Sequence, residues 1–460
     1  MRMGKHPFSS RYPAIPRKGF GEPELHTRHT YRFLAGLLAF STVLAVAIAM
    51  WVPFSKPEPD SMRQAEEWVS SGRIAETFTP IAYPLLIAPA YRVGGIHGII
   101  ALQTALQIAL VATCFFFLLQ LGVSARTAFF GSLPVALHPE LLASITRSWD
   151  VALSTFLLVL LVLLLLRMEI LGARLNVSLV CGVVFASAVF CRPNYVLIAV
   201  ALLYALLSQG KLQHDLASVS SIPKKTTVRT SILALVVFAV SGISTYILLG
   251  IAGHGSPFFP HNGSYNLFAG SNPYSASAFL ANFNGELSIN SAYRAQHPEL
   301  SPSAPSPDFR DPSLSNFYLR SSVGYARHHP VAEVKLIGIK MFTFFRPKIR
   351  IHPLHVAEGV VKCFLALPVV FFLLLLLLPD RAPLDRVDRL LLIVYAAYIL
   401  PFLLTNSDPR FRIPLDVLLL LHSIRLLAFR GESTSPSSRS DGSRIPNEEV
   451  LATFSSNVLL

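Results

Sequence analysis

Residues 33–52 read FLAGLLAFSTVLAVAIAMWV, and residues 57–68, which follow closely, read PEPDSMRQAEEW. The first stretch is an unbroken apolar run of about the 20 residues that an α-helix needs to cross a bilayer. The second stretch carries a carboxylate, Asp60, just after the chain leaves the membrane, where it can lie beside a lipid head group. A spanning helix followed at once by an acidic surface segment is the feature around which we interpret the remaining chain.

The composition is that of a polytopic membrane protein. The chain has 460 residues, 52% hydrophobic and 14% charged, with a mean hydropathy of +0.52, whereas soluble domains are about 25% charged. We predict an all-α, polytopic membrane protein with about ten transmembrane helices, interfacial helices and one large outer loop. The apolar runs behind this prediction are 33–52, 98–121, 127–137, 151–166, 177–191, 195–208, 230–252, 363–378, 390–404 and 413–429.

The net charge of +13 does not indicate nucleic-acid binding, because the basic residues form no single patch interleaved with aromatic residues. They concentrate in the amino-terminal tail and in alternate loops, and the positive-inside rule then places both termini in the cytoplasm. We predict a cytoplasmic basic tail over 1–32, a transmembrane domain over 33–429 and a disordered cytoplasmic tail over 430–460. The first outer loop is 53–97, and the large outer loop is 253–352.

Two segments show the spacing of amphipathic helices. Met62, Ala65 and Val69 recur at i, i+3 and i+7 among polar residues, which predicts a short helix in the interface plane with Asp60 near its first turn. Prolines interrupt the apolar stretch that follows, over 80–97. A second interfacial stripe is formed by Val334, Ile337, Met341 and Phe345.

Several polar residues have two interpretations from the sequence alone. Asp60 is either a functional carboxylate or a charge favoured at a helix start, and Asp150 is either functional or a helix cap at the start of the 151–166 run. Two carboxylates without clustered ligands are a weak metal signal, so no cofactor is indicated, although a divalent metal between them is possible. Gln103 and Gln107 are interpreted as helix–helix hydrogen-bonding residues.

The order and shared face of several short motifs resemble the GT-C class of polyprenyl-phosphate-sugar glycosyltransferases. The resemblance is to the branch of protein O-mannosyltransferases, lipid A aminoarabinose transferases and related bacterial membrane glycosyltransferases, and it spans roughly 33–429. The residues that carry it are Asp60, Thr79-Pro80, Tyr83-Pro84, His138-Pro139 with Asp150, Arg192-Pro193, 266–273, and 409–412 with Pro414. Two positions depart from it: Ser61 follows Asp60 where mannosyltransferases have an acidic pair, and Phe411 replaces a tyrosine of many relatives.

The resemblance implies an inverting glycosyltransferase that moves a sugar from a polyprenyl-phosphate carrier to an acceptor hydroxyl on the non-cytoplasmic face. Asp60 would be the catalytic base, with Asp150 assisting it or holding hydroxyls. The leaving phosphate needs cations, and the planar guanidinium of arginine matches phosphate oxygens. The alternative role of these cations is to extend to the lipid head groups by snorkelling. The phosphate or donor candidates are Arg410, Arg412, Arg192, Lys340 and Arg346, and the acceptor or loop contacts are Tyr83, His138 and Asn272.

The expected partners are a lipid-linked sugar donor, membrane lipid, and a lipid, glycan or protein acceptor, and no nucleic acid. The expected location is a bacterial inner membrane, as a multi-pass protein whose active site faces outside. A transporter or lipid flippase is the alternative from another class, because such proteins are equally polytopic; they gather polar residues near the bilayer midplane. A non-catalytic assembly component is the third interpretation.

Overall fold

The computed structural model describes residues 28–52, 54, 59–76, 78–147, 149–171, 175–205, 224–257, 260, 262–281, 285–297, 311–346, 358–377, 384–405 and 409–433. All regular elements in these ranges are helical, so the all-α prediction is confirmed. The first nine helices are α1 (Arg28–Trp51), α2 (Pro59–Ser71), α3 (Ala82–Gln120), α4 (Ala125–Ala136), α5 (Pro139–Ile145), α6 (Val151–Leu171), α7 (Leu175–Cys191), α8 (Pro193–Ala205) and α9 (Lys224–His254).

Eight further helices follow, with short 3₁₀ turns at Pro312–Leu314 and Pro409–Arg412. The eight are α10 (Asn262–Gly270), α11 (Ser275–Ala281), α12 (Gly285–Gln296), α13 (Ser315–His328), α14 (Pro330–Phe345), α15 (Glu358–Leu377), α16 (Arg386–Leu404) and α17 (Ile413–Ser433). The predicted tails lie outside the described residues at 1–27 and 434–460.

Each predicted apolar run coincides with a helix, but not every one of these helices is long enough to cross a membrane. Within the described residues, five helices are long and apolar enough to cross a membrane, and α4 with α5 makes a sixth if this pair, bent by 63°, is one span. Helices α7 and α8 and the apolar part of α15 are shorter. The multi-pass character is thus confirmed, and the count of ten stays a prediction.

Burial separates a central helix from peripheral ones. The apolar part of α6 is 72% buried inside the protein, whereas the apolar parts of α1 and α9 are 17% buried. Because α6 is apolar on all sides, it can be surrounded by protein without leaving a polar side chain unsatisfied. The residue that directly precedes α6, Asp150, is therefore carried by the centre of the bundle.

Two predicted loops contain more helix than expected. The stretch 80–97 is helical from Ala82, because Pro84 falls in the first turn, where its missing N–H costs nothing; the chain breaks instead at Gly95, whose φ of +56° favours glycine. The predicted loop between His138 and Asp150 contains α5.

Helix α2 has the predicted amphipathic form. Met62 and Ala65 are buried and Val69 packs on the same core. The Gln64 amide donates a 2.6 Å hydrogen bond to the Thr79 hydroxyl, which ties α2 to the turn before α3. The helix that carries Asp60 is thus fixed to the bundle.

The described part of the large outer loop, helices α10 to α14, forms a helical layer that we call the cap. Its own core contains Phe268 and Tyr318, whose rings stack at 5.4 Å. Tyr265 of the cap contacts Phe78 in the turn between α2 and α3, with ring centroids 5.1 Å apart. The predicted stripe on α14 faces outward, with Val334 69% exposed.

The connections between the helices lie at two opposite ends of the bundle. At one end, which we call the Asp150 end, the Trp68 indole donates to the Ala252 carbonyl, and Asp150 pairs with Arg192. At the other, the Asp388 end, the start of α16 pairs with Arg425 of α17. The carriers of Asp60, Asp150, Arg192 and Arg410 all meet at the Asp150 end.

Candidate active site

Asp150 and Arg192 form the centre of the candidate site. Asp150 directly precedes α6, and Arg192 lies in the tight connection between α7 and α8. The guanidinium donates through Nε to Asp150 Oδ2 at 2.7 Å and through Nη2 to Oδ1 at 3.0 Å. Such a bidentate salt bridge fixes the orientation of both side chains and favours their charged forms. Arg192 is 5% exposed, while the Asp150 side chain remains 27% exposed.

The charges around Asp150 keep its carboxylate ionised. Burial acts to raise the pKa of Asp150, but the adjacent Arg192 guanidinium and the more distant Arg410 lower it, and the net shift is below the ordinary aspartate value. At neutral pH, Asp150 is consequently a fixed negative charge that balances the charge of Arg192. It is a poor candidate for a group that exchanges protons near neutral pH.

Phe411 holds two guanidinium groups around one ring. The Arg192 guanidinium lies 4.9 Å from the ring centroid and that of Arg410 lies 5.0 Å from it. The ring also stacks on Phe402 at 5.0 Å, and the Tyr398 hydroxyl donates to the Phe411 carbonyl. Cations are attracted to an aromatic face, so the Pro409–Arg412 turn places a second arginine beside the Asp150–Arg192 pair.

One donor of Arg192 is left over. Within the described residues, its Nη1 is buried and has no hydrogen-bond partner. A buried donor without an acceptor costs about 1–3 kcal/mol. An anionic oxygen placed at Nη1 would remove that cost and would also meet the charge of Arg410.

Tyr83, a predicted acceptor contact, lies buried next to this centre. Its hydroxyl accepts a hydrogen bond from the Gln103 amide, which also donates to the Trp149 carbonyl at 2.9 Å. The phenol is 2% exposed. Tyr83 therefore supports the backbone immediately before Asp150. Gln107 joins two helices as predicted, because its amide donates to the Val135 carbonyl of α4. The Gln103 amide instead joins α3 to Trp149, which lies just before α6.

Asp60 lies in the first turn of α2, as predicted. Its side chain is 28% exposed, and Arg63 Nη2 approaches it at 3.9 Å. Arg63 also pairs with Glu76, beyond the end of the same helix. Asp60 thus combines access to solvent with a fixed backbone at the Asp150 end.

Arg412 has its donors occupied inside the protein. It is 3% exposed, donates through Nε to Asp416 at 2.8 Å, and donates to the Phe345 and Leu365 carbonyls. These bonds join α14, α15 and α17. The geometry therefore gives Arg412 a structural position, and of the predicted arginine pair only Arg410 lies against the Phe411 ring.

Lys340 is likewise enclosed. Its ammonium is 3.5 Å from Glu333 and donates to the Leu404 carbonyl at 3.2 Å, with the side chain fully buried. Burial lowers the pKa of Lys340 to about 8, although Glu333 acts in the opposite direction. Arg346, at the end of the same helix, is exposed. Lys340 therefore joins the cap to α16, whereas the Arg346 side chain is exposed and within reach of a head group.

The two remaining predicted contacts are buried. His138, 4% exposed, lies at the bend between α4 and α5. Asn272 is 2% exposed; its amide donates to the Phe268 carbonyl and its side-chain oxygen accepts from the Tyr274 N–H. Asn272 therefore shapes the turn between α10 and α11.

Sequence reasoning missed three residues of the site. They are Phe411 as a platform, Asp416 as the partner of Arg412, and Glu333 as the partner of Lys340. Phe411 and Asp416 could have been identified from the sequence. Phe411 lies between two arginines, and Asp416 follows Arg412 by four residues. Within the described ranges, no group of three or more His, Cys, Asp or Glu residues could hold a metal ion.

A solved structure is similar to this chain. It is the crystal structure of ArnT from Cupriavidus metallidurans bound to undecaprenyl phosphate, at 12% sequence identity and a TM-score of 0.37; the match covers 87% of this chain and 78% of ArnT. No family model and no curated protein matches the chain.

Proposed function

We propose that this protein is an inverting glycosyltransferase that takes a sugar from a polyprenyl-phosphate carrier and passes it to an acceptor hydroxyl. The observation that carries the proposal is the buried Arg192, which is locked by Asp150, shares the Phe411 ring with Arg410, and keeps Nη1 for a further acceptor. A phosphate at the membrane surface supplies such an oxygen. ArnT was crystallised with a lipid phosphate, and the proposal gives this chain a ligand of the same kind.

The proposed reaction needs a base and a stabilised leaving group. The acceptor oxygen bonds to the anomeric carbon while the bond from that carbon to the phosphate oxygen breaks, and the polyprenyl phosphate leaves with the bonding electrons. Asp60 takes the proton of the acceptor hydroxyl. Arg192 and Arg410 stabilise the charge that develops on the phosphate. Attack opposite the leaving group inverts the anomeric centre.

Asp150 has a positioning role in this scheme. Its paired oxygens hold the Arg192 fork so that Nη1 points away from the carboxylate, and its low pKa keeps the negative charge present throughout. We place the site on the outer face of a bacterial inner membrane, because the basic tail and basic alternate loops favour a cytoplasmic position for the opposite end.

The transporter alternative gains no support from Gln103 and Gln107, two polar residues within the apolar part of α3. The Gln103 amide donates to the Trp149 carbonyl, just before α6, and the Gln107 amide donates to the Val135 carbonyl of α4.

The direct test is the variant Asp60→Asn, purified in nanodiscs and incubated with a panel of labelled polyprenyl-phosphate sugars and membrane acceptors. Loss of a positioned base lowers a rate by about 10²–10⁴-fold, so we expect sugar release from the lipid to fall at least 100-fold. Glu66→Gln is the matched control, because Glu66 lies on the same helix. Glu66 accepts a hydrogen bond from the Tyr91 hydroxyl, and the side-chain oxygen of a glutamine can accept the same bond. Wild-type transfer by Asp60→Asn would remove Asp60 from the base position.

A further inference from the structure

The cap contains a pocket of about 230 Å³ that the proposed chemistry does not use. It lies between α10, α12 and α13, with Phe268, Gln296, Ser321 and Tyr325 in its wall and His328 at the end of α13. Drug-sized ligands occupy pockets of about 300–1,000 Å³. This pocket therefore suits a smaller group, of the size of a single sugar ring.

The pocket offers polar contacts without formal charge. The nine residues that line it include no Asp, Glu, Lys or Arg. The lining offers no carboxylate to a cation and no lysine or arginine to a phosphate, whereas a neutral polar group can replace its hydrogen bonds to water by hydrogen bonds to the wall. This composition separates the pocket from the Asp150 end, where Arg192 and Arg410 provide positive charge.

Several polar groups in the wall are available to a ligand. The Ser321 hydroxyl donates to the Gln296 side-chain oxygen at 3.3 Å. Within the described residues, the Gln296 amide nitrogen and the Tyr325 hydroxyl have no hydrogen-bond partner. Aromatic surface is also present, because the rings of Tyr325 and His329 both line the pocket, with centroids 5.1 Å apart. Amide and hydroxyl groups beside aromatic rings match the hydroxyls and the apolar C–H faces of a pyranose.

A chain of contacts links the pocket to the Asp150 end. Ser271 follows α10, which carries Phe268, and its hydroxyl donates to Glu333 at 2.9 Å. Glu333 in turn pairs with Lys340, which donates to the Leu404 carbonyl at the end of α16. The pocket wall is therefore tied through α14 to the end of α16, the helix that precedes the Pro409–Arg412 turn.

We infer that this pocket is a subsite for a neutral sugar ring of the acceptor, so that the acceptor is a glycan. The inference rests on the proposed glycosyltransferase function. The ring is held by the Gln296 amide and by the hydroxyl and ring of Tyr325, while another hydroxyl of the same glycan reaches the transfer site.

A substitution at Gly324 can block the pocket. It lines the pocket within α13, and a Cβ added to it would meet no atom within 4 Å. Gly324→Leu therefore fills the cavity without a clash with the protein, and it replaces a glycine by a better helix former. Gly338→Leu is the matched control, because Gly338 lies within helix α14, has the same open surroundings and does not line the pocket.

The experiment is saturation-transfer difference NMR on the full chain in nanodiscs, with methyl glycosides of common hexoses and pentoses as probes. We expect at least one glycoside to give a signal with the wild type and with Gly338→Leu, and at least a tenfold weaker signal with Gly324→Leu. Gln296→Ala should weaken the same signal about fivefold to tenfold. A serine- and threonine-rich peptide serves as the rival ligand.

The inference is overturned if no glycoside binds the wild type, if Gly324→Leu binds as well as Gly338→Leu, or if only the peptide binds. The outcome is separable from that of the proposed function. If glycosides bind and Asp60→Asn still transfers sugar at the wild-type rate, Asp60 is not the base but the pocket remains a sugar subsite. Loss of transfer by Asp60→Asn without any glycoside binding would keep the enzyme and reject the subsite.

Discussion

Both ends of the bundle contain a buried arginine bonded to an aspartate, but the two clusters differ in what else surrounds the pair. At the Asp388 end, the carboxylate accepts from Arg425 and from His422 at 2.9 Å, and its side chain is 7% exposed. At the Asp150 end, Arg192 alone donates two hydrogen bonds to the carboxylate, which is 27% exposed.

The Asp388 cluster is closed by further bonds. Asp388 and Asp385 form a capping box at the start of α16, and Arg425 also pairs with Asp385. The His422 ring lies 3.1 Å from the Tyr395 hydroxyl. These contacts lock α16 to α17. Similar residue types thus produce a lock where several partners enclose the carboxylate, and a candidate ligand site where the carboxylate stays partly exposed and a second arginine, Arg410, lies beside the pair.

The largest expected effect is on stability at the Asp388 end. Arg425→Met leaves the Asp388 carboxylate without its cation, and breaking a buried pair costs about 3–5 kcal/mol. Reversible unfolding in detergent should show this loss, while sugar transfer per folded molecule should stay within twofold of the wild type. A large loss of transfer by well-folded Arg425→Met would contradict the assignment of this cluster as a lock.

The next effect is on catalysis at the Asp150 end. Arg192→Lys keeps the charge but loses the planar fork, and removal of one donor to a developing oxyanion lowers kcat about 10²–10³-fold, or about 2.7–4 kcal/mol. Steady-state kinetics with a lipid-linked donor would measure this. The matched variant Arg425→Lys should leave kcat unchanged, so equal kinetic losses in both would erase the distinction between the two ends.

The sequence predicted the elements that depend on local patterns. Apolar runs identified helices such as α6, and the spacing of Met62 and Ala65 identified α2. Helices α10 to α13 of the cap were not predicted, because these short polar helices depend on tertiary contacts such as the stack of Phe268 on Tyr318. Such contacts between distant residues leave no periodic signal.

The roles of the cations were harder to predict than their positions. Arg410 and Arg412 are separated by one residue, yet Arg410 lies against the Phe411 ring while Arg412 is bonded to Asp416 and two carbonyls. The direction of each side chain depends on α14, α15 and α17, which pack around the turn. A search for an acidic residue four positions after Arg412 would have identified its partner.

A smaller effect is expected at Phe411. Phe411→Leu keeps an apolar side chain but removes the aromatic face for Arg192 and Arg410, and each cation–π contact contributes about 0.5–2 kcal/mol. We expect KM for the lipid-linked donor to rise about fivefold with a smaller change in kcat. Phe411→Tyr keeps the face and should remain within twofold of the wild type; an equal effect of both variants would show that the ring face is irrelevant.

A separate effect, on the pH dependence of stability, concerns the closed corner of the Asp150 end. The pKa of Lys340 is about 8 when folded and about 10.4 when unfolded. Between these values the unfolded chain binds more protons, so this lysine makes stability rise with pH from about 8 to 10. Lys340→Met should remove that rise in the unfolding midpoint.

Lys335→Met is the control for that measurement, because Lys335 is exposed on the same helix. Parallel pH curves for the wild type and Lys340→Met would show that burial of this ammonium is not coupled to folding. Lys340 would then be a candidate for ligand binding after all, and the Asp150 end would contain one more available cation.

The most direct test of the central claim, that the Asp150 end binds a lipid phosphate through Arg192, is the affinity of the purified protein in nanodiscs for undecaprenyl phosphate. We expect Arg192→Lys to weaken binding at least tenfold and Arg425→Lys to leave it unchanged. Unchanged binding by Arg192→Lys, or equal weakening by both variants, would contradict the account.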